Sequence, residues 1–345
     1  MRGICAPSSW WRAVTGEPGC PKDMRYGPCG GTRADGRCEV GDRPCPFVGA
    51  GRHWSPPVPA AREPVTVPFV APRVVMDVRE PVGYSGDPRR LWRDTAAVLE
   101  GTAALIGEHA DRVEVDAGRL QVPDVVRLLA AGGTGVIATV TARDRDQEGL
   151  RQAVSALQHA AVLAVHCVTG DHPRALGIDR SPRWGGESFD VVAATVAAGV
   201  PASVAESPAS PGPRVERVIA KERAGASMVI LNHGGDPPDL VDFAHRCRDA
   251  GATVPMLAPV PIVVDPVSAA RLDRFPGLRL PTGLTAAVAT SRAPRREGIA
   301  RAAALAADLM QTGVFAGVNL SGPAGIPTAE ARLSITAELL DAMAV

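Results

Sequence analysis

Cys20, Cys29, Cys38 and Cys45 fall within 26 residues, with Cys5 just upstream. Pro21, Gly27, Pro28, Gly30, Gly31, Pro44 and Pro46 surround them. So Gly- and Pro-rich a segment buries little apolar area, so a disulfide or a metal has to hold it. The gaps of eight, eight and six residues are not the paired Cys-x-x-Cys of common zinc ribbons. Four thiolates can still enclose Zn²⁺ or an Fe–S cluster, with Pro28 and Gly30-Gly31 supplying tight turns. No apolar signal core precedes Cys20, so the expected compartment is the cytoplasm, where thiols stay reduced. That favours metal over disulfides. Cys167 and Cys247 sit in apolar patterns and read as core thiols.

A second set of chemical groups recurs at the ends of short Val-rich runs. These are Asp77, Asp116, Thr141, Thr169-Gly170-Asp171, Glu206, Asn232-His233, Asn319 and Ser321. Taken singly, each reads as a helix cap or a turn former rather than a catalytic group. Taken together on one rim they make an active site, provided the runs are parallel strands.

The elements that would place them there are legible. The runs Val74–Val78, Val113–Val115, Val136–Val140, Val162–Val168, Val200–Val204, Met228–Leu231, Val254–Leu257 and Val314–Leu320 read as strands. Between them lie helical patterns at 89–105, 122–131, 147–160, 189–198, 215–224, 240–250 and 297–312, several opened by Asp or Pro and closed by Gly. Eight alternations predict an α/β fold, a (β/α)8 barrel, with a doubly wound open sheet as the other candidate. Residues 1–50 form a separate cysteine-rich segment. Residues 51–70, with Pro56, Pro57, Pro59, Pro64 and Pro68, read as an extended linker to a domain over 71–345.

The 345 residues carry 37 Lys+Arg and 37 Asp+Glu, so no net field draws the chain to nucleic acid or anionic lipid. No apolar run is long enough to span a membrane.

The residues also carry a family likeness. Val74–Pro81, with Asp77, resembles the first strand of methylenetetrahydrofolate reductases. Leu163–Pro173 resembles their fourth strand and its Arg-Gly-Asp loop, and Lys221–Ala226 resembles their Lys-x-x-Ala-Gly-Ala turn. Met228–Asp236 resembles the strand ending in a substrate-binding Gln, here Asn232; Pro255–Pro261 and Arg279-Leu280-Pro281 continue the series. Cys-Pro-Lys, Gly-Pro-Cys-Gly-Gly and Cys-Glu-Val resemble the cysteine-rich C-terminal-type (MetV-like) domain of the same pathway.

The resemblance implies reduction of 5,10-methylenetetrahydrofolate to 5-methyltetrahydrofolate. Asp77, where the family has Glu, would be the acid at N10 of the folate. Asp171 would tune the hydride donor, and Asn232 would bind the pterin. Thr139, Thr141, Thr169, Gly170, Asp171 and Lys221 would line the cofactor, Lys221 at a phosphate. The family's flavin-contacting His is Thr139, its loop Arg is Thr169, its aromatic pair is His233-Gly234, and its stacking Phe is Leu272. With those contacts replaced and aromatics at 4%, hydride comes either from reduced FAD or directly from NADH. Cys20, Cys29, Cys38 and Cys45 would hold zinc or an Fe–S cluster and face a redox partner protein, and a homo-oligomer is among the expected assemblies. Two alternatives stand beside the reductase: a folate barrel repurposed for methyl transfer, and a non-catalytic electron-transfer partner.

Overall fold

The computed structural model describes residues 18–48, 67–80, 84–108, 120–273, 277–322, 326 and 328–344. Eight parallel strands close on themselves in chain order: β1 Val74–Val78, β2 Ala103–Ile106, β3 Val136–Thr141, β4 Ala164–Val168, β5 Ala202–Glu206, β6 Ala226–Leu231, β7 Met256–Pro261 and β8 Gly317–Ser321. Val75 pairs with Ala103 on one side and Asn319 on the other, which seals the ring. The fold is the (β/α)8 barrel, not the open sheet.

The helices are α1 Pro88–Val98, α2 Val122–Ala131, α3 Gln147–His159, α4 Ser188–Ala197, α5 Arg214–Arg223, α6 Pro237–Asp249, α7 Pro266–Asp273, α8 Leu284–Thr290, α9 Pro294–Gln311 and α10 Ala329–Met343. Proline opens α1, α6 and α9, where its missing N–H costs no helical bond. The Asp87 and Asp146 carboxylates accept from the Arg89 and Gly149 N–H groups at 2.9 and 2.8 Å and start α1 and α3.

Alternation along the strands splits the core. Val75, Leu105, Ile137, Ala164, Met228, Ile230 and Leu257 fill the barrel interior, while Met76, Ala104, Ala138, Val165 and Val229 face the helices. Both faces are covered, which is why the strands read as unbroken apolar runs.

The second strand corrects the sequence reading. The helix expected over 89–105 ends at Val98; Gly101 turns the chain at φ +76, and Ala103–Ile106 enters the sheet. Ala and Leu favour helix, but the barrel closes only if a strand fills the place between β1 and β3. Val113–Val115 and Asp116 lie outside the described residues, as does most of the 51–70 stretch. Among the described residues no helix is long and apolar enough to cross a membrane.

Candidate functional site at the barrel mouth

The inward alternation that fills the barrel with Val75, Ile137 and Ile230 continues at the C-terminal ends with Asp77, Thr139, Thr141, His166, Asn232, Asn319 and Ser321. Two adjoining cavities open there, of 310 and 370 Å3. They share a wall made of Gly107, Thr139, His166, Asn232 and Leu278.

Asp77 and Asn232 line the larger cavity together with Asn319, His233, Ser321 and Leu272. Burial pushes the Asp77 carboxyl up to about 7, against a hydrogen bond from Asn319 and the charge of Arg79. Its Oδ1 is buried and has no partner among the described residues, and the same holds for Asn319 Oδ1. Asn232 donates from Nδ2 to Ser207 Oγ at 2.7 Å, and its backbone N–H reaches Glu206 O at 2.8 Å. His233 Nε2 lies 3.0 Å from Ser321 Oγ, and burial lowers its pKa to about 4.

The residues expected to line a cofactor, Thr139, Thr141, Thr169, Gly170, Asp171 and Lys221, all border the smaller cavity, and Thr139 borders the larger one as well. The Thr141 N–H donates to Glu108 Oε2 at 3.0 Å, and Arg145 Nη1 bridges Glu108 Oε1 and Thr141 O at 2.7 and 3.1 Å. Thr169 Oγ1 accepts from the Ser188 N–H at 3.2 Å at the start of α4. Gly170 has φ +95, and a Cβ there would sit 3.0 Å from Thr141 Cβ, so bare backbone faces the space. Asp171 is exposed, its carbonyl accepting from Arg143 Nη1 at 2.9 Å.

Lys221 differs most from its expected role. Its Nζ donates to Glu206 Oε2 at 2.8 Å and to Ala205 O. Burial lowers its pKa to about 8, while Glu206 acts to raise it. Glu206 also meets Arg214 at 3.1 Å and Arg217 at 3.4 Å. Burial alone would raise the Glu206 pKa, but the three cations hold it far below the usual carboxylate range. Lys221 is therefore neutralised inside the protein.

Residues 18–48 form the outer wall of this smaller cavity through Lys22, Cys29, Gly30, Gly31 and Glu39. Arg214 Nη1 and Nη2 donate to Pro28 O and Cys29 O, both at 3.2 Å, and Arg217 donates to Tyr26 O. Glu187 Oε1 accepts the Arg25 and Tyr26 N–H groups at 2.9 and 3.0 Å. Glu39 pairs with buried Lys22 and accepts the His172 N–H at 3.3 Å. None of these contacts has a local sequence signal; most join residues more than 130 apart in the chain.

Cys20, Cys29, Cys38 and Cys45 are unbridged. Burial pushes the Cys20 thiol up to about 11 and raises Cys29 and Cys38. Each of these three sulfurs accepts a backbone N–H two residues on, from Lys22, Gly31 and Val40. Among the described residues, however, no three His, Cys, Asp or Glu side chains stand as a ligand set. The thiols share one segment without forming a closed coordination shell.

Fold and site thus define a (β/α)8 barrel whose mouth is walled by a cysteine-rich segment. Comparison with known proteins is consistent with both parts. Residues 9–54, ahead of the barrel, match the family described as methylene-tetrahydrofolate reductase C terminal. An uncharacterized protein from Clostridium thermocellum, described as binding two copies of 5-methyl-5,6,7,8-tetrahydrofolic acid, shares the fold. Its TM-score is 0.55 at 10% identity, over 80% of this chain and 96% of that one. A tryptophan synthase from M. tuberculosis matches with TM-score 0.40 and 14% identity, over 79% of this chain and 93% of that one. No curated protein matches the sequence at a significant level.

Proposed function

We propose that the protein is a folate-dependent one-carbon oxidoreductase that reduces 5,10-methylenetetrahydrofolate to 5-methyltetrahydrofolate. The observation that carries this reading is Asp77: a carboxyl with a buried, unpaired oxygen and a pKa near 7, on the wall of a cavity at the catalytic end of a barrel. Such a group holds a proton at neutral pH and can release it to N10. N10 protonation opens the five-membered ring to an N5 iminium, whose carbon accepts hydride. Asn232, braced by Ser207, offers its amide oxygen to the donor edge of the pterin. The C. thermocellum neighbour's 5-methyltetrahydrofolate and the family match of residues 9–54 support the same substrate class.

A reduced flavin or NADH supplies the hydride when bound. Thr139, Thr141 and Gly170 suit its ring, being small and leaving backbone open to close approach. Its phosphates belong elsewhere, because the cations lining the smaller cavity are already paired: Lys22 with Glu39, and Arg217 and Lys221 with Glu206. Asp171, which lines the same cavity as Lys22 and acts on its charge, would bias the charge near that ring. The four cysteines are kept as thiolate ligands of zinc or an Fe–S cluster, because Cys20, Cys29 and Cys38 accept N–H···S contacts and Cys45 accepts the Thr32 hydroxyl. Because their present arrangement leaves the ligand set open, no chemical step is routed through them.

The test is anaerobic: a spectrum of the purified protein, then NADH and methylenetetrahydrofolate in the same cuvette, without and with added FAD. Folate-dependent loss of NADH absorbance is the expected result. No loss in either case sinks the reductase and leaves methyl transfer or an accessory role.

A further inference from the structure

We propose that His166 is a ligand-binding residue: its Nε2–H donates a hydrogen bond to an acceptor atom of the conjugated heterocycle lodged where the two cavities meet, and Ser203 sets the tautomer that makes it a donor. The inference rests on the reading above for the kind of ring, a pterin or an isoalloxazine. Both present ring carbonyls and unprotonated ring nitrogens.

Placement comes first. His166 points inward from the middle of β4, and its imidazole lies on the wall common to both cavities. Among the described residues that line them there is no Phe, Tyr or Trp. The imidazoles of His166 and His233 are the rings available to meet a planar ligand. Of the two, only His166 touches both spaces.

The tautomer follows from satisfying hydrogen bonds. Ser203 is fully buried, and its Oγ lies 2.9 Å from His166 Nδ1. That nitrogen is the hydroxyl's sole partner among the described residues. A hydroxyl sealed from water strands its hydrogen unless it donates it. Ser203 therefore donates to Nδ1, which must be the unprotonated nitrogen, and the ring hydrogen sits on Nε2. Nε2 has no protein partner among the described residues and is not sealed from the cavities. Burial, with the charge of Lys221 behind it, lowers the imidazole pKa to about 4, so the ring is neutral over the working range. The cavity wall thus carries a fixed neutral donor with nothing to donate to until a ligand arrives. A donor of this kind selects an acceptor and rejects a ring that offers an N–H at the same place.

The experiment uses the full chain labelled with ¹⁵N-histidine, titrated separately with 5-methyltetrahydrofolate and with FAD. His166 is assigned as the signal missing from His166→Phe. The expected result is an Nε2–H tautomer in the free protein, with its Nε2–H resonance moving on addition of one of the two ligands. His166→Phe keeps a ring but no donor, and weakens that ligand about ten-fold, the value of one buried hydrogen bond. Ser203→Ala frees the tautomer to interchange and weakens the same ligand several-fold, which keeps the test alive if the Phe variant does not fold. An Nδ1–H tautomer in the free protein overturns the inference. So does a folded His166→Phe that binds both ligands as the parent does. A parent that binds neither ligand overturns the folate reading together with this inference, whereas binding indifferent to His166 overturns this inference alone.

Discussion

Replacing Asp77 by Asn is expected to remove a pH dependence from the protein's stability. The Asp77 carboxyl titrates near 7 in the folded chain because burial opposes its charge, against 3.8 in the unfolded chain. Between those values the folded state keeps a proton that the unfolded chain has released. Stability is therefore full below about pH 4, falls as pH rises to about 7, and is flat beyond, at a slope of about 1.4 kcal/mol per pH unit. A separation of about three pH units makes the total roughly 4 kcal/mol. Asn is nearly isosteric and cannot ionise, so the difference in unfolding free energy between Asp77→Asn and the parent isolates this one group while other titrations cancel. Urea unfolding at pH 5, 6, 7 and 8 measures it. The Asn variant is expected to gain about 2 kcal/mol on the parent between pH 5 and 7, and only a few tenths of a kcal/mol more by pH 8, because the group is half titrated at pH 7. A difference that stays constant with pH would refute the reasoning, because Asp77 would then be ionised at neutral pH and could not be the acid at N10. In the NADH-coupled assay the same variant is expected to lose a factor of about 10² to 10⁴ in turnover.

Three other perturbations probe the surroundings. Glu206→Gln leaves Arg214, Arg217 and Lys221 buried without their counter-charge, at a cost of roughly 3–5 kcal/mol in urea unfolding. The depressed Glu206 pKa means this stabilisation is present above about pH 4.5 and is lost as pH falls further; an unchanged urea midpoint would show that the cluster does not hold the fold. Gly31→Ala would put a Cβ 1.5 Å from Glu39 Oε2. It is expected to expel Glu39 from its pair with Lys22, to cost roughly 3 kcal/mol, and to speed alkylation of Cys29; an alkylation rate equal to the parent's would count against this packing. Protein purified anaerobically is expected to carry about one equivalent of zinc or of a cluster per chain, lost in Cys38→Ser; a metal-free parent with four titratable thiols would remove the ligand role of Cys20, Cys29, Cys38 and Cys45.

The sequence showed the barrel, and most of its rim, for a physical reason. Strands buried on both faces are Val-rich runs, and alternation aims every second residue inward. Asp77, Thr141, Asn232 and Asn319 could therefore be placed on the rim from the pattern alone, whereas Thr139 came from the family resemblance. Ala103–Ile106 escaped because Ala-Ala-Leu-Ile has no strand preference of its own and is made a strand by β1 and β3. His166 escaped because a lone polar residue within an apolar run reads as core. Its position four residues before Gly170, in phase with Ala164 and Val168, was the signal that could have found it. Lys221 was visible as a conspicuous residue, but its partner was not. A helix Lys reads as solvated until Glu206, fifteen residues away, is seen beneath it.

The position of the cysteine-rich segment follows from the same buried charges. Its described residues bury little of their own, chiefly Met24, Cys38, Val40 and Cys45. What fixes them is polar. Carbonyls of Tyr26, Pro28 and Cys29 are held by two arginines, and those arginines stay buried only because Glu206 neutralises them. Withdrawing the segment would strand three carbonyl acceptors on one side and expose the guanidinium donors on the other. The carboxylate at the end of β5 would then hold two arginines that had lost the bonds to Tyr26, Pro28 and Cys29 carbonyls, two from Arg214 and one from Arg217. The wall of the smaller cavity and the stability of α5 therefore depend on one another. Any change in the cysteines that moves residues 26–29 reaches Glu206, and through Lys221 and Asn232 it reaches both cavities.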